Sequence, residues 1–297
     1  MILCGFFSLC ERKILALFQL RIGPGLFLNG VLTPITDGIK LLFKNILLII
    51  SVDFFYLLIN IIICINCLYI IIFVFPIGFI ILFDINISIF FILSIHIIAN
   101  IIGIYIVGCY VFCSCYVYMA AMRTLFFNIL SEGLILIIFI QSFLIEYFSF
   151  FSIKDITICQ LFINNIIILG FIFTMLILIA FLLDGSRLPF DYIECESELV
   201  AGLITEFSGF FFVIYSLIEI NHTLLNSIMI VCLLFGGYYV CFKSLFVLFF
   251  VFLVPRSLCC RMKVSNAQCL ILNYMYIIGL FTLSSVAAIK IILISII

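Results

Sequence analysis

The chain has 297 residues, of which 68% are hydrophobic and 9% are charged, and its formal net charge is −1 at pH 7. A soluble domain carries about 25% charged residues, so this composition excludes a soluble globular protein. It also excludes intrinsic disorder, which requires low hydrophobicity and high charge. The near-neutral charge provides no basic surface for nucleic acid. We therefore predict an all-α, polytopic transmembrane helix bundle that forms a single domain over residues 1–297.

Eight apolar segments are candidates for crossing a bilayer, which requires about 20 apolar residues in a helix. In chain order they cover residues 1–20, 52–75, 89–112, 125–147, 161–183, 206–233, 237–254 and 268–292. Proline and glycine residues such as Pro24, Pro189 and Pro255 mark the connections between them. The first segment spans only if the charged residues 11–13 lie inside its helix.

Basic residues lie on alternate connections. The odd-numbered connections together hold eight Lys and Arg residues, and the even-numbered connections hold only Lys154. By the positive-inside rule, we expect the odd connections to face the mitochondrial matrix or the bacterial cytoplasm, with both termini on the opposite side. Nearly all of the polar chemistry also lies on the odd connections, which predicts one functional face.

The first connection contains a short amphipathic segment. Residues 34–43 have amphipathic helical spacing, in which Asp37, Lys40 and the adjacent Lys44 share one face and apolar side chains lie on another. The segment is too short and too charged to span a bilayer. We therefore predict a short helix that lies in the membrane interface.

The densest polar cluster follows the fifth predicted span. Six of the 14 acidic residues lie within it, namely Asp184, Asp191, Glu194, Glu196, Glu198 and Glu206. On a helix that starts near Pro189, Asp191, Glu194 and Glu198 stand at i, i+3 and i+7 and therefore share one face. Like charges this close, beside hydrocarbon, cannot all stay ionised. A group of carboxylates that exchange protons is typical of a proton path, and the alternative is a solvated acidic loop.

Three further acids lie inside predicted spans: Asp53 near one end of the second, Glu132 within the fourth and Glu219 within the sixth. A carboxylate at the bilayer centre costs about 2.5–3.5 kcal/mol on insertion scales, so such residues usually face the bundle interior and mark an ion pathway. Arg123 either anchors its helix at the interface or holds a carboxylate in place. His96 and His222 are isolated, and we interpret them as ordinary polar residues. The sequence predicts no metal site and no NADH-binding motif.

Two long motifs resemble subunit 1 of respiratory complex I, a family of NADH:ubiquinone oxidoreductase membrane subunits with bacterial counterparts. The first motif is ERKILALFQLRIGP (11–24) followed by LTPITDGIKLLFK (32–44), and the second is DGSRLPFDYIECESELVAGLITEF (184–207). Three further spacings resemble that family: Arg123 to Glu132, Glu206 to Glu219, and the basic trio Arg256, Arg261 and Lys263.

The resemblance implies a core membrane subunit that forms the ubiquinone chamber and couples quinone reduction to proton translocation. It implies quinone-binding positions at Arg12, Arg21, Asp37 and Lys40. It implies a proton path through Asp184, Glu194, Glu196, Glu132, Glu206 and Glu219. It implies supporting charges at Glu11, Arg123, Arg187, Asp191, Glu198 and Arg256. No residue of the chain is assigned as catalytic, because the redox chemistry belongs to the quinone and to a cluster on a neighbouring subunit.

The resemblance also implies cofactors, partners and a location. Ubiquinone would be the substrate, no cofactor would be covalently bound, and iron–sulfur clusters and flavin would lie on partner subunits. Those partners would be the peripheral-arm quinone-site subunits and adjacent small membrane subunits. The composition and the lack of a targeting segment favour the mitochondrial inner membrane, with the bacterial cytoplasmic membrane as the alternative.

Two other functions stay open from the sequence. One is a related membrane subunit of a hydrogenase-type complex, and the other is a stand-alone proton or ion carrier.

Overall fold

A computed structural model describes residues 2–25, 30–44, 55, 58–66, 114–145, 171–192, 207, 209–235 and 240–296. Every regular element within these ranges is helical, and none of the described residues forms a strand. In a bilayer, a helix satisfies its backbone hydrogen bonds internally, which an isolated strand cannot do. The prediction of an all-α protein is confirmed.

The helices follow the apolar segments of the sequence. The first five are α1 (Ile2–Phe18), α2 (Thr33–Leu42), α3 (Cys115–Ile145), α4 (Phe171–Asp184) and α5 (Gly209–Leu234). Next, α6 (Val240–Val247) continues through a π-helical segment (Leu248–Leu253) into α7 (Val254–Leu258). Finally, α8 (Val264–Cys269) continues through a second π-helical segment (Leu270–Met275) into α9 (Tyr276–Ile296).

Among the described residues, three helical stretches are long and apolar enough to cross a membrane: Cys115–Ser142, Gly209–Leu234 and Val264–Ala288. A polytopic membrane protein is therefore confirmed, whereas the total of eight spans stays a prediction. The predicted span 89–112 lies outside the described residues, and only residues 55 and 58–66 of the span 52–75 are described, all of them helical.

The structure corrects two predicted boundaries. Helix α3 begins at Cys115 rather than at residue 125, because no proline or glycine interrupts the stretch before it, and Arg123 therefore lies inside a helix instead of in a connection. Pro255 does not end the seventh segment. It lies in α7 directly after the π-helical segment, so Arg256 is helical as well.

The charged residues of the first segment do lie inside a helix, because α1 runs without a break through residues 11–13. The short helix predicted between residues 34 and 43 is also present as α2, which has Pro34 in its first turn and no buried residue. Its apolar residues Ile35 and Ile39 are each 49% exposed. This pattern suits a helix at the membrane interface, which stays a prediction.

The interior of the bundle is built around α3, α4 and α5. Helix α3 packs against α4 and α9, and α5 packs against α4, α6, α1 and α2. Small side chains allow a close approach of helices in membranes, and Ala120, Ala121 and Ala180 are completely buried. A Cβ atom added to Gly133 of α3 would lie only 2.1 Å from the hydroxyl of Tyr276, so α3 and α9 are in close contact there.

Candidate functional site

Four charged side chains from distant parts of the chain meet inside the bundle. Arg187 follows α4, and its Nη1 lies 3.7 Å from Oε1 of Glu11 on α1. Its Nη2 lies 3.5 Å from Oε1 of Glu219 on α5. Arg256 of α7 donates a hydrogen bond to Oε1 of Glu11. We name these four residues the arginine cluster; within it, the side chains of Glu11 and Arg187 are each 11% exposed.

The loop that carries Arg187 is held on both sides. On one side, Arg261 donates a hydrogen bond to the backbone oxygen of Asp191, and the Met262 N–H donates to the Pro189 oxygen at 3.2 Å. On the other side, Tyr192 stacks on Phe127 of α3 with ring centroids 4.1 Å apart. The loop between α4 and the acidic motif is therefore anchored by the basic connection before α8 and by α3.

A glycine permits the tight turn that begins this loop. The backbone N–H of Gly185 donates to the Phe181 oxygen at 3.0 Å, which extends the ladder of α4 by one bond. A Cβ atom at Gly185 would lie 3.2 Å from Phe252 and 3.5 Å from the side-chain nitrogen of Asn226. The absence of a side chain thus lets the end of α4 lie directly against α5.

A second group of polar residues lies deeper, at the contact of α3, α4 and α5. The side chain of Asp184, at the end of α4, is completely buried. Its Oδ2 accepts a hydrogen bond from Nδ2 of Asn226 at 2.9 Å and lies 3.4 Å from Nε2 of His222. Glu132 of α3 is 6% exposed and interacts electrostatically with Asp184. We name these four residues the inner acid group.

One face of α5 joins the two groups. Glu219, His222 and Asn226 are three and four residues apart, which places them along the same side of the helix. Glu219 belongs to the arginine cluster and the other two belong to the inner acid group. The rise from Glu219 to Asn226 is about 10 Å. The bundle therefore encloses a line of ionisable groups from Glu11 to Glu132.

The predicted quinone-binding residues lie elsewhere, on α1, α2 and the turn after α1. Nη1 of Arg12 lies 3.4 Å from Oδ2 of Asp37, and their side chains are 47% and 55% exposed. Arg21 and Lys40 are also exposed. The structure therefore brings Arg12 and Asp37 together and leaves this region open at its surface.

Arg123 does not hold Glu132. The two residues are on one continuous helix, and nine residues correspond to a rise of about 13.5 Å and two and a half turns. Their side chains therefore leave opposite sides of α3. Four of the predicted acidic site residues lie outside the described residues: Glu194, Glu196, Glu198 and Glu206.

Sequence reasoning misses two members of the inner acid group. It interprets His222 as an ordinary polar residue, because no metal ligand lies at a suitable spacing, and it does not single out Asn226. Both stand at helical spacing from Glu219, at i+3 and i+7. That spacing from an intramembrane carboxylate is the available signal, since it places all three on one helix face.

The fold and the site together define a class: a polytopic helical membrane protein whose interior encloses acidic and basic side chains from distant segments. The chain belongs to the NADH dehydrogenase family, whose sequence pattern it matches over residues 1–287. The resemblance to subunit 1 of respiratory complex I is thereby confirmed.

Three relatives illustrate the extent of the similarity. The chain is 50% identical to NADH-ubiquinone oxidoreductase chain 1 of Leishmania tarentolae over 276 residues, covering 93% of this chain and 88% of that protein. It is 32% identical to a bacterial relative, an NADH-quinone oxidoreductase subunit of Rickettsia rickettsii, over 247 residues, or 80% of this chain and 70% of that protein. It is 31% identical to NADH-ubiquinone oxidoreductase chain 1 of Chondrus crispus over 238 residues, or 79% and 71%.

Proposed function

We propose that this chain is the membrane subunit of a respiratory NADH:ubiquinone oxidoreductase that forms the ubiquinone chamber and couples quinone reduction to proton translocation. The names of the relatives support the enzyme and its substrate. The flavin and iron–sulfur clusters belong on partner subunits of the peripheral arm, which dock on the face that carries the odd connections. The membrane is the mitochondrial inner membrane, in keeping with the relative from Leishmania tarentolae.

The observation that carries the proposal is the line of ionisable groups inside the bundle. Removing charged groups from water costs several kcal/mol for each ion, even in real proteins. Apolar side chains of similar size would give a helix bundle without that cost. The line includes Glu11, Arg187, Glu219, Asp184 and Glu132, and ionisable groups inside a membrane are typical of proton and ion pathways.

The contacts of Arg187 support electrostatic coupling along this line. Its guanidinium lies between Oε1 of Glu11 and Oε1 of Glu219. When Glu219 takes up a proton, it loses its negative charge and attracts the Arg187 guanidinium less strongly. The guanidinium then interacts mainly with the Glu11 carboxylate. Proton uptake at one carboxylate thereby alters the electrostatic environment of the next, as expected for coupled sites.

We assign the remaining predicted residues to the two ends of this path. Glu194, Glu196 and Glu206 continue it toward the quinone chamber, and Glu198, Asp191 and Arg123 are supporting charges. At the chamber, the exposed polar groups of Arg12, Arg21, Asp37 and Lys40 meet the quinone head group. The apolar surfaces of α1 and α2 receive the isoprenoid tail, since ligand sites combine an apolar lining with few polar groups.

Substitution of Glu132 tests the proton path. Glu132→Gln keeps the size of the side chain and removes its ability to release a proton. A positioned proton-transfer group contributes on the order of 10²–10⁴-fold, so we expect NADH:ubiquinone turnover coupled to proton pumping to fall by about tenfold or more. The measurement is made on the purified complex reconstituted into vesicles, with a pH-sensitive dye inside.

The matched control for that test is Ser131→Ala, at a fully buried neighbour whose hydroxyl donates only within α3, to the Asn128 oxygen. We expect the control to pump at the rate of the unmodified complex. Both variants are first checked for assembly on a native gel. Normal turnover and normal pumping by assembled Glu132→Gln would refute the path through the inner acid group.

A further inference from the structure

His222 stands at the junction of the arginine cluster and the inner acid group. Its Nε2 lies 3.4 Å from Oδ2 of Asp184 on α4, and its side chain is 12% exposed. On its own helix, it is one turn from Glu219, whose Oε1 contacts Arg187. The imidazole thus occupies the position on α5 between a carboxylate of one group and a carboxylate of the other.

The neighbouring elements present charged or titratable groups near this junction. Helix α4 presents Asp184, and α3 presents Glu132, which interacts electrostatically with Asp184. Helix α5 itself presents Glu219, and the loop after α4 presents Arg187. Acids therefore lie on both sides of the imidazole along the line, and the two cations Arg187 and Arg256 lie on the side of the arginine cluster.

Asn226 fixes the oxygen that faces His222. Its Nδ2 donates at 2.9 Å to Oδ2 of Asp184, the same atom that lies 3.4 Å from the imidazole. Asn226 is 1% exposed, and its own helix holds it at a fixed spacing from His222. The Asp184 carboxylate is therefore held in place opposite the imidazole.

We propose that His222 carries protons between Glu219 and Asp184, as a link in the proton path of this bundle, so this step rests on the proposed function. Histidine is the side chain that gains and loses a proton near neutral pH. In one direction, Nε2 of the imidazolium gives its proton to Oδ2 of Asp184, which leaves neutral imidazole and a carboxylic acid. The ring then rotates so that the vacant Nε2 takes up one proton from the Glu219 carboxylic acid, and Asp184 passes its proton on toward Glu132. The imidazolium and the Asp184 carboxylate are thereby restored, and Glu219 takes up the next proton from the side of the arginine cluster, so each cycle moves one proton along the line.

The test is substitution of His222 in the whole complex, reconstituted into vesicles with ubiquinone and NADH. His222→Gln retains a polar side chain and abolishes proton exchange, and we expect coupled turnover to fall by about tenfold or more. His222→Ala leaves space for a free imidazole. Added imidazole is expected to restore at least part of the turnover of His222→Ala and to leave His222→Gln unchanged.

The matched control is Thr223→Val, next to His222 on α5. Thr223 is 1% exposed, and its hydroxyl donates within the helix to the Ile220 oxygen, so the change preserves volume and removes one buried polar group outside the line. We expect its turnover and its pH profile to match those of the unmodified complex. In the unmodified complex, we expect one part of the dependence of turnover on pH to follow the titration of the imidazole. That part of the pH dependence is expected to be absent in His222→Gln.

The outcomes separate the role of His222 from the proposed function. If Glu132→Gln is inactive while His222→Gln is normal, the path stands without His222 and the role of His222 is overturned. If both are normal, the path itself is overturned. Loss of activity in assembled His222→Ala without any imidazole rescue, and with an unchanged pH profile in His222→Gln, assigns a structural role to the residue and also overturns its role as a proton carrier.

Discussion

Glu11 and Arg12 are neighbours in α1, yet their ion pairs lie in opposite environments. The Glu11 side chain is 11% exposed and lies against both Arg187 and Arg256. The Arg12 side chain is 47% exposed and lies beside Asp37 of α2. One pair therefore has its charges removed from water, and the other retains much of its hydration.

The difference shows that the buried charges of the arginine cluster stabilise the bundle, whereas the exposed charges of Arg12 and Asp37 remain available to a ligand. The arginine cluster joins α1, the loop after α4, α5 and α7 at one point. A buried charge is costly when its partner is lost, so this cluster fixes the relative positions of these segments. The exposed pair contributes about 0–1 kcal/mol, and its side chains can reorient toward a quinone at little cost.

The largest effect is expected at the centre of the arginine cluster. Arg187→Met removes the cation beside Glu219 and leaves Glu11 with Arg256 alone. Loss of one partner of a buried pair typically costs about 3–5 kcal/mol. We expect a correspondingly large fall in the thermal stability of the intact complex and a low yield of the assembled form, measured by native gel and by thermal unfolding in detergent.

A double variant separates charge from packing in that result. Arg187→Met combined with Glu219→Gln removes both the cation and the carboxylate that it leaves behind, and we expect it to recover more than half of the lost stability. If the double variant is as unstable as the sum of its single variants, the Arg187 stem, and not its charge, stabilises the cluster.

The difference between the two regions is only partly accessible from the sequence. The helical class, the short helix at Thr33–Leu42 and the intramembrane positions of Glu132 and Glu219 follow from apolar run length and periodicity. The extent of α3 cannot be predicted from the sequence in this way. A charged residue such as Arg123 need not end a helix, because the apolar stem of an arginine can lie along the helix surface while its guanidinium reaches the interface.

The site is predictable as a set of charged residues and not as a set of contacts. Sequence motifs indicate that Glu11, Arg187 and Arg256 matter, but they do not indicate that these three meet at one carboxylate oxygen. Contacts between residues so distant in the chain depend on how helices pack, which single-chain periodicity does not specify. The interpretation of His222 as an ordinary polar residue does not include its neighbour for the same reason, since Asp184 lies on another helix.

A neutral buried contact sharpens the comparison, with an effect of intermediate size. Nε2 of Gln141 on α3 donates to the Gly279 oxygen at 2.6 Å and to Oγ1 of Thr282 at 2.7 Å, both on α9. Interhelical hydrogen bonds in membranes average about 0.6 kcal/mol. We expect Gln141→Leu to lower the free energy of unfolding by about 1 kcal/mol, measured by thermal unfolding of the complex.

Thr282→Val is the companion variant for Gln141→Leu. It removes one of the two acceptors and leaves the Gly279 oxygen, so its effect should be smaller than that of Gln141→Leu. If Gln141→Leu lowers the free energy of unfolding as much as Arg187→Met does, neutral and charged buried contacts stabilise this bundle equally. The arginine cluster would then contribute no more to stability than a neutral hydrogen bond.

The smallest effect on stability is expected at the exposed pair, where any change should appear in quinone binding instead. Arg12→Ala removes an ion pair that contributes about 0–1 kcal/mol, so we expect the unfolding temperature of the complex to change little. If Arg12 meets the quinone head group, the KM for a short-chain ubiquinone should rise several-fold.

Lys13→Ala, at the next position of the same helix, is the matched control, because it removes an equal charge from a residue without a proposed role. A loss of stability in Arg12→Ala comparable to that in Arg187→Met would erase the contrast between the two regions. An unchanged KM would remove Arg12 from the quinone chamber.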